Sequence, residues 1–196
     1  MIKNLEQYKK IRDVNVSKSD LIDFESDIIK HWEGGDIKAP IHLSDGNEKQ
    51  LIEIFSRISY HDHIFSTWRS HYHALCHGIS KQWLKNEILE GRSITVCNLD
   101  HNFYSSAIVT GIIPLALGTS IGLKRQNSSQ KVWCFLGDMA FETGIFYEAY
   151  KYVKNFHLSL QFVVEDNKLS TNTPTHETWG GIQRDIPDDV IYYSYE

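Results

Sequence analysis

Apolar and polar positions change their period along this chain. Residues 17–20, SKSD, carry a helix-capping pattern, and Leu21, Ile22, Ile28 and Ile29 follow as an apolar stripe at helical spacing. Residues 34–48, GGDIKAPIHLSDGNE, are dense in turn formers. A short helix is expected over residues 51–58, LIEIFSRI, a strand over 64–67, and one helix over 73–91 that ends on Gly91.

The second half alternates. Residues 106–126, SAIVTGIIPLALGTSIGLKRQ, predict a turn and then a buried helix, and NSSQ a loop. KVWCFLGD reads as a strand, FETGIFYEAYKYVKNF as a helix, LSLQFVVEDN as a strand and VIYYSYE as one more strand. Strand, helix, strand with short apolar runs predicts an α/β fold, a mostly parallel sheet flanked by helices, with a right-handed crossover. The wholly apolar runs VWCFL and FVV suit strands covered on both faces. Residues 1–35, charged and helix-permissive, are expected to form an N-terminal helical extension, and residues 36–196 the body of a single domain.

Composition narrows the function classes. The net charge of −5 and the absence of a Lys/Arg block give no electrostatic support to a nucleic-acid or membrane-surface role. The long apolar stretch 107–123 is interrupted by proline, glycines and hydroxyls, so it does not read as a membrane span. The first twenty residues lack an apolar core of the signal-peptide kind. Cys76, Cys97 and Cys134, odd in number and far apart, point to a reducing compartment, and a cytoplasmic location is expected.

The candidate chemistry sits at the two ends of residues 137–167. Asp138 ends one expected strand and Asn167 the next, and a strand–helix–strand crossover returns both to the carboxyl edge of a parallel sheet, where open α/β sheets bind ligands. The intervening helix starts at that edge, and its free N–H groups favour an anion. Asp and Asn offer hard oxygen ligands suited to Mg²⁺ or Ca²⁺. Taken singly, Asp138 also reads as a helix cap and the Asp-Asn pair as a turn.

The spacing resembles the thiamine diphosphate motif, which opens on Gly-Asp-Gly and closes on asparagine. More closely, LGDMAFETGIFYEAYKYVKNFHLSLQFVVEDN resembles the alpha subunit of the first component of 2-oxo acid dehydrogenases, of the pyruvate dehydrogenase type. FSTWRSHYHALCHGIS, HNFYSSAIVTGIIPLALGTSIGLK and APIHLSDGNE resemble three further segments of that family, in family order, and together they span residues 39–175. The resemblance implies a diphosphate-domain fold over residues 36–196, with thiamine diphosphate and Mg²⁺ as cofactors.

Residue by residue, it implies Asp138 and Asn167 as side-chain Mg²⁺ ligands and Leu169 as a backbone-carbonyl ligand. Asp166 is expected as a neighbour on the far side of the sheet by strand alternation. Arg69 matches a diphosphate-contacting arginine, and its planar fork suits that role; Trp68 stands where the family often has tyrosine. Val109, flanked by Ile108, matches a residue that supports the aminopyrimidine ring. The preceding Ser105, Ser106 and Ala107 replace a glycine-rich stretch and predict a tighter turn. Gly137, Met139 and Ala140 flank Asp138 at the diphosphate. Met139 replaces the usual glycine, which predicts an altered backbone or a partly filled pocket. His42, in HLSDG, matches a histidine near the active centre and is the catalytic candidate.

The resemblance further implies a partner. The glutamate that activates the cofactor ring belongs, in this family, to a beta-type subunit, so a site between subunits and a heterotetramer are expected. The substrate would be a 2-oxo acid or a related small molecule, with decarboxylation, oxidation or transfer of the derived acyl or aldehyde unit. Residues 176–196 hold no match to the family's late loop histidine, which leaves open a compact form or a substrate handled by the partner. Two alternatives stand beside this reading: a split transketolase-like subunit, and a non-catalytic paralogue acting in assembly or regulation. Five histidines, His61, His63, His71, His73 and His77, form a separate cluster. His73 and His77 lie one helical turn apart, a possible zinc pair without a third ligand at telling spacing, and one or two of the five are expected to face the diphosphate or substrate.

Overall fold

The computed structural model describes residues 2–180 and 184–195. Ser17 caps α1 (Lys18–Glu33) through a capping box in which its side chain accepts from the Asp20 amide and Asp20 accepts from the Ser17 amide. Next come α2 (Glu48–Phe55), β1 (His63–Ser66), α3 (His71–His77) and α4 (Lys81–Leu89). β2 (Cys97–Asn98) and β3 (Phe103–Ser105) precede α5 (Ile112–Arg125). Then follow β4 (Val132–Gly137), α6 (Asp138–Phe141), α7 (Gly144–Phe156) and β5 (Leu160–Asp166). A hairpin of β6 (Leu169–Ser170) and β7 (Thr173–Pro174), the short α8 (Thr175–Trp179) and β8 (Ile191–Ser194) complete the chain.

Among the described residues, six strands form one sheet in the order β2-β3-β1-β4-β5-β8. The pairs β3–β1, β1–β4, β4–β5 and β5–β8 are parallel, and β2–β3 alone is antiparallel. Side-chain alternation divides the core in two. Ile64, Trp133, Phe135, Val163, Ile191 and Tyr193 pack with helices α1 to α4. Phe65, Val132, Cys134, Leu136, Phe162 and Val164 pack with α5, α6 and α7 on the other face. α1 belongs to this body, because Leu21, Phe24 and Ile28 are buried in the first layer. Ahead of it, the N-terminal segment reaches the far edge: Asn4 donates to the carbonyls of Pro187 and Val190, and Lys3 bridges to Tyr192.

Three expected helices differ in detail. The helix expected over 73–91 is two helices. Gly78 adopts φ 106°, a left-handed conformation that ends α3, and Ser80 caps α4 by accepting from the Trp83 amide. The helix expected from residue 141 starts later, because Thr143 accepts from the Phe146 amide and caps α7 at Gly144, leaving Asp138–Phe141 as a separate turn. α5 is not wholly buried: Ile112, Ile113 and Ala116 face the core while Leu115 is 57% exposed. Pro114 falls in its first turn, where the missing N–H has no helical partner to lose.

A buried polar network ties α3 to the sheet. His73 Nε2 lies 3.1 Å from both oxygens of Glu165, on β5, and the Tyr193 hydroxyl, on β8, donates to the same carboxylate. Burial, then the Glu165 charge, raise the Tyr193 phenol well above its ordinary range, so it keeps the proton it donates. Asn47 donates to the Tyr193 oxygen at 3.3 Å.

Two outcomes follow from these contacts. A Cβ at Gly78 would sit 2.9 Å from the Tyr60 ring in a backbone conformation that side chains disfavour, so Gly78→Ala lowers stability by about 2 kcal/mol in urea unfolding. Glu165→Ala leaves the Tyr193 hydroxyl and His73 without their acceptor and costs about 3 kcal/mol in the same assay.

Candidate active site

A cleft of about 820 Å³, counted out to its mouth, opens at the carboxyl edge of the sheet. Its walls come from the residues that follow successive parallel strands. Thr67, Trp68 and Arg69 follow β1; Val109 and Thr110 follow β3; Gly137, Asp138, Met139 and Ala140 end β4 and begin α6. Glu165, Asn167, Leu169, Ser170 and Thr171 surround the end of β5, Tyr195 follows β8, and Asn47 completes the lining. The helix after β1 lies on one face of the sheet and the helix after β4 on the other. The crevice between these adjacent strands is therefore a topological switch point, the place where open α/β sheets take ligands.

Of the residues singled out in the sequence, Trp68, Arg69, Val109, Gly137, Asp138, Met139, Ala140, Asn167 and Leu169 line this one cleft. Ile108 does not; it is 72% exposed beside the mouth. His42 does not line it either, and its ring centroid lies 6.0 Å from that of Trp68. Burial, then the positive charge of Arg69, hold the His42 imidazole below its ordinary pKa. Arg69 itself donates from Nη1 to the Leu43 carbonyl at 2.7 Å, so the loop that carries His42 is latched to the cleft wall.

None of the five clustered histidines lines the cleft, contrary to expectation. His71 contacts Glu25 and Ser93, His73 contacts Glu165, and His77 contacts the His101 carbonyl, so His73 and His77 serve different partners. His73 meets the cleft through its partner Glu165, and none of these three rings is itself part of the lining.

Met139 sits in a right-handed helical turn, so the position does not require the backbone freedom of glycine. Its side chain takes a share of the cleft lining instead. Two lining residues are left-handed, Thr110 at φ 65° and Thr171 at 58°, and so is Lys168 at 58° next to Asn167; the β-branched threonines are strained there. The turn before α5 is tight, since a Cβ on Gly111 would approach the Ile108 Cβ to 3.0 Å.

Beside Asp138, in the cleft wall, lies a second buried carboxylate, Asp166. Asp138 is 2% exposed and Asp166 4%. The expectation that Asp166 points to the far side of the sheet is overturned. One guanidinium, Arg184, donates to Asp138 Oδ2 at 2.8 Å and to Asp166 Oδ2 at 2.7 Å. Asp166 is the last residue of β5 and alternation puts it on the face of Val164 and Leu136; Asn167 has already left the strand, so its parity says nothing about Asp166. The residue that points the other way is Glu165, toward His73. Arg184 also contacts Glu142 at 3.0 Å, and Tyr192 donates to Asp166. Burial, then the Asp166 charge, push the Asp138 carboxyl up to about 6 against the pull of Arg184. Asn167 Oδ1 accepts from the Leu169 amide at 3.1 Å, an Asx turn that orients the side chain and leaves its second lone pair unused by that bond.

Arg184 had no sequence signal strong enough to place it, and Asp166 was expected only as a neighbour on the opposite face. Arg184 falls in a stretch without apolar period, and only its charge marked it.

Known proteins resemble this chain in sequence. A family model described as dehydrogenase E1 component matches residues 18–180. Over 161 residues the chain is 27% identical to the alpha subunit of the acetoin:2,6-dichlorophenolindophenol oxidoreductase of Bacillus subtilis (strain 168), covering 77% of this chain and 48% of that protein. Over 155 residues it is 26% identical to the pyruvate dehydrogenase E1 component subunit alpha of Porphyra purpurea, covering 70% and 45% respectively. The chain thus spans about half the length of the curated relatives it matches. A match over residues 18–180 takes in β1 to β7 and every wall of the cleft except Tyr195, and the chain belongs to the dehydrogenase E1 component family.

Proposed function

We propose that this chain is the alpha-type, diphosphate-binding half of a heteromeric thiamine diphosphate- and Mg²⁺-dependent enzyme that decarboxylates or oxidises a 2-oxo acid or transfers the unit derived from it. The observation that carries the reading is the convergence of Asp138, Asn167 and Arg69 on one cleft at a switch point of a parallel sheet. The donor set fits the group. A buried carboxylate, an amide oxygen and a chain carbonyl are the hard ligands Mg²⁺ takes when it keeps positions for water and phosphate.

In this reading Asp138 and Asn167 hold the metal with their side chains and Leu169 with its carbonyl. Arg69 pairs with the diphosphate, where its fork matches the phosphate oxygens. Val109 supports the aminopyrimidine, and Met139 narrows the floor beside it. His42 reaches the cleft through Trp68, held near it by the Arg69–Leu43 bond. Thiamine diphosphate supplies the nucleophilic carbon and the electron sink of the reaction. This chain's residues bind and orient it and keep its charged end out of water.

The exposed apolar residues support a partner. Ile108, Val109 and Leu115 are 72%, 56% and 57% exposed around the mouth and on the adjoining turn of α5. A beta-type subunit seated there would cover them and bring its glutamate to the cofactor ring. A second reading, a non-catalytic paralogue, draws on one observation, the seating of Arg184 on Asp138.

Calorimetry with thiamine diphosphate and Mg²⁺, with and without a beta-type subunit, separates the two. The first reading expects saturable, Mg²⁺-dependent binding, lowered about 100-fold or more by Asp138→Ala with an unchanged circular dichroism spectrum. Wild type that shows no saturable binding under either condition leaves the second reading. For the partner face, Leu115→Glu is expected to weaken co-elution with the beta-type subunit about tenfold or more on size-exclusion chromatography, and unchanged association rejects that face.

A further inference from the structure

Asp138, in the cleft wall, and Asp166 beside it are both buried, and they share one cation. Arg184 supplies it from the chain itself. All three guanidinium nitrogens are engaged: Nη2 with Asp138 at 2.8 Å, Nη1 with Asp166 at 2.7 Å and Nε with Glu142 at 3.0 Å. The oxygen it takes on Asp138 belongs to the side chain that the reading above assigns to the metal.

We propose that Arg184 is a built-in competitor of the divalent cation, filling its place on Asp138 in the metal-free chain and releasing it when the metal binds. The inference rests on the reading of Asp138 as a metal ligand. Three features make the exchange workable. Arg184 opens the described stretch 184–190, which holds no helix or strand, so its movement breaks no ladder there. The end of that segment is pinned independently, because Asn4 donates to the carbonyls of Pro187 and Val190 and Gln7 to that of Asp188. And Asp166 and Glu142 offer the guanidinium two contacts that remain when Asp138 is surrendered. The metal therefore displaces one charge-assisted hydrogen bond rather than the whole cluster.

Removing the competitor should tighten metal binding. Mn²⁺, titrated alone into the full chain and followed by electron paramagnetic resonance, is expected to bind Arg184→Gln about tenfold more tightly than wild type, the worth of one charged hydrogen bond. Arg184→Lys keeps the charge but loses the fork that spans three carboxylates, and is expected to fall between the two. It carries the test if the glutamine variant does not fold. Equal or weaker binding in these variants overturns the proposal; weaker binding makes Arg184 a support of the site instead. Asp138→Asn separates this failure from that of the underlying reading. If it leaves Mn²⁺ affinity unchanged in an otherwise wild-type chain, Asp138 is not a ligand, whatever Arg184 does.

Discussion

The side-by-side parallel pairing of β4 and β5 is the constraint on which the site depends. Their register sets Gly137 opposite Glu165, so the residues just beyond, Asp138 and Asp166 with Asn167, emerge together at one edge. An antiparallel pair would send the two ends to opposite edges and leave no shared site. The crossover through α7 is held by apolar packing: Phe146, Ala149 and Val153 are buried against the second face of the sheet. The hydrophobic layer thus does the positioning, and its consequence is electrostatic. Two carboxylates meet in a setting too dry to screen them, and a cation has to be provided.

Around that centre the backbone departs from relaxed geometry at three residues. Thr110, Lys168 and Thr171, all beside the cleft, adopt left-handed backbone angles that cost a non-glycine residue about 1 kcal/mol or more each. The cores on either side are built from ordinary strands and capped helices. Left-handed residues also occur away from the cleft, at Asn4, Asn102, Asn127 and His157, and Met139 is not among them.

Much of this architecture was legible in the residues. The apolar runs of β4 and β5 announced strands covered on both faces, and the polar residues at their ends announced a site. Arg69 and Val109 came only from the resemblance, since a loop arginine and an apolar turn residue carry no pattern of their own. Asp166 was misplaced because parity was counted from Asn167, which lies beyond the strand. Arg184 was invisible for a physical reason: its partners Asp138 and Glu142 are more than forty positions away and meet it only through the sheet. The break at Gly78 had a readable signal, a glycine followed two residues later by a serine cap, and the helical period across it concealed that signal.

The central claim is that one cation site joins the ends of β4 and β5. Its most direct measurement is the paramagnetic broadening of backbone amide signals as Mn²⁺ is added to isotope-labelled protein. The account predicts that residues 138, 167 and 169 broaden first and together, ahead of the His71–His77 helix. First broadening at that helix, or uniform loss of signal across the chain, would contradict it.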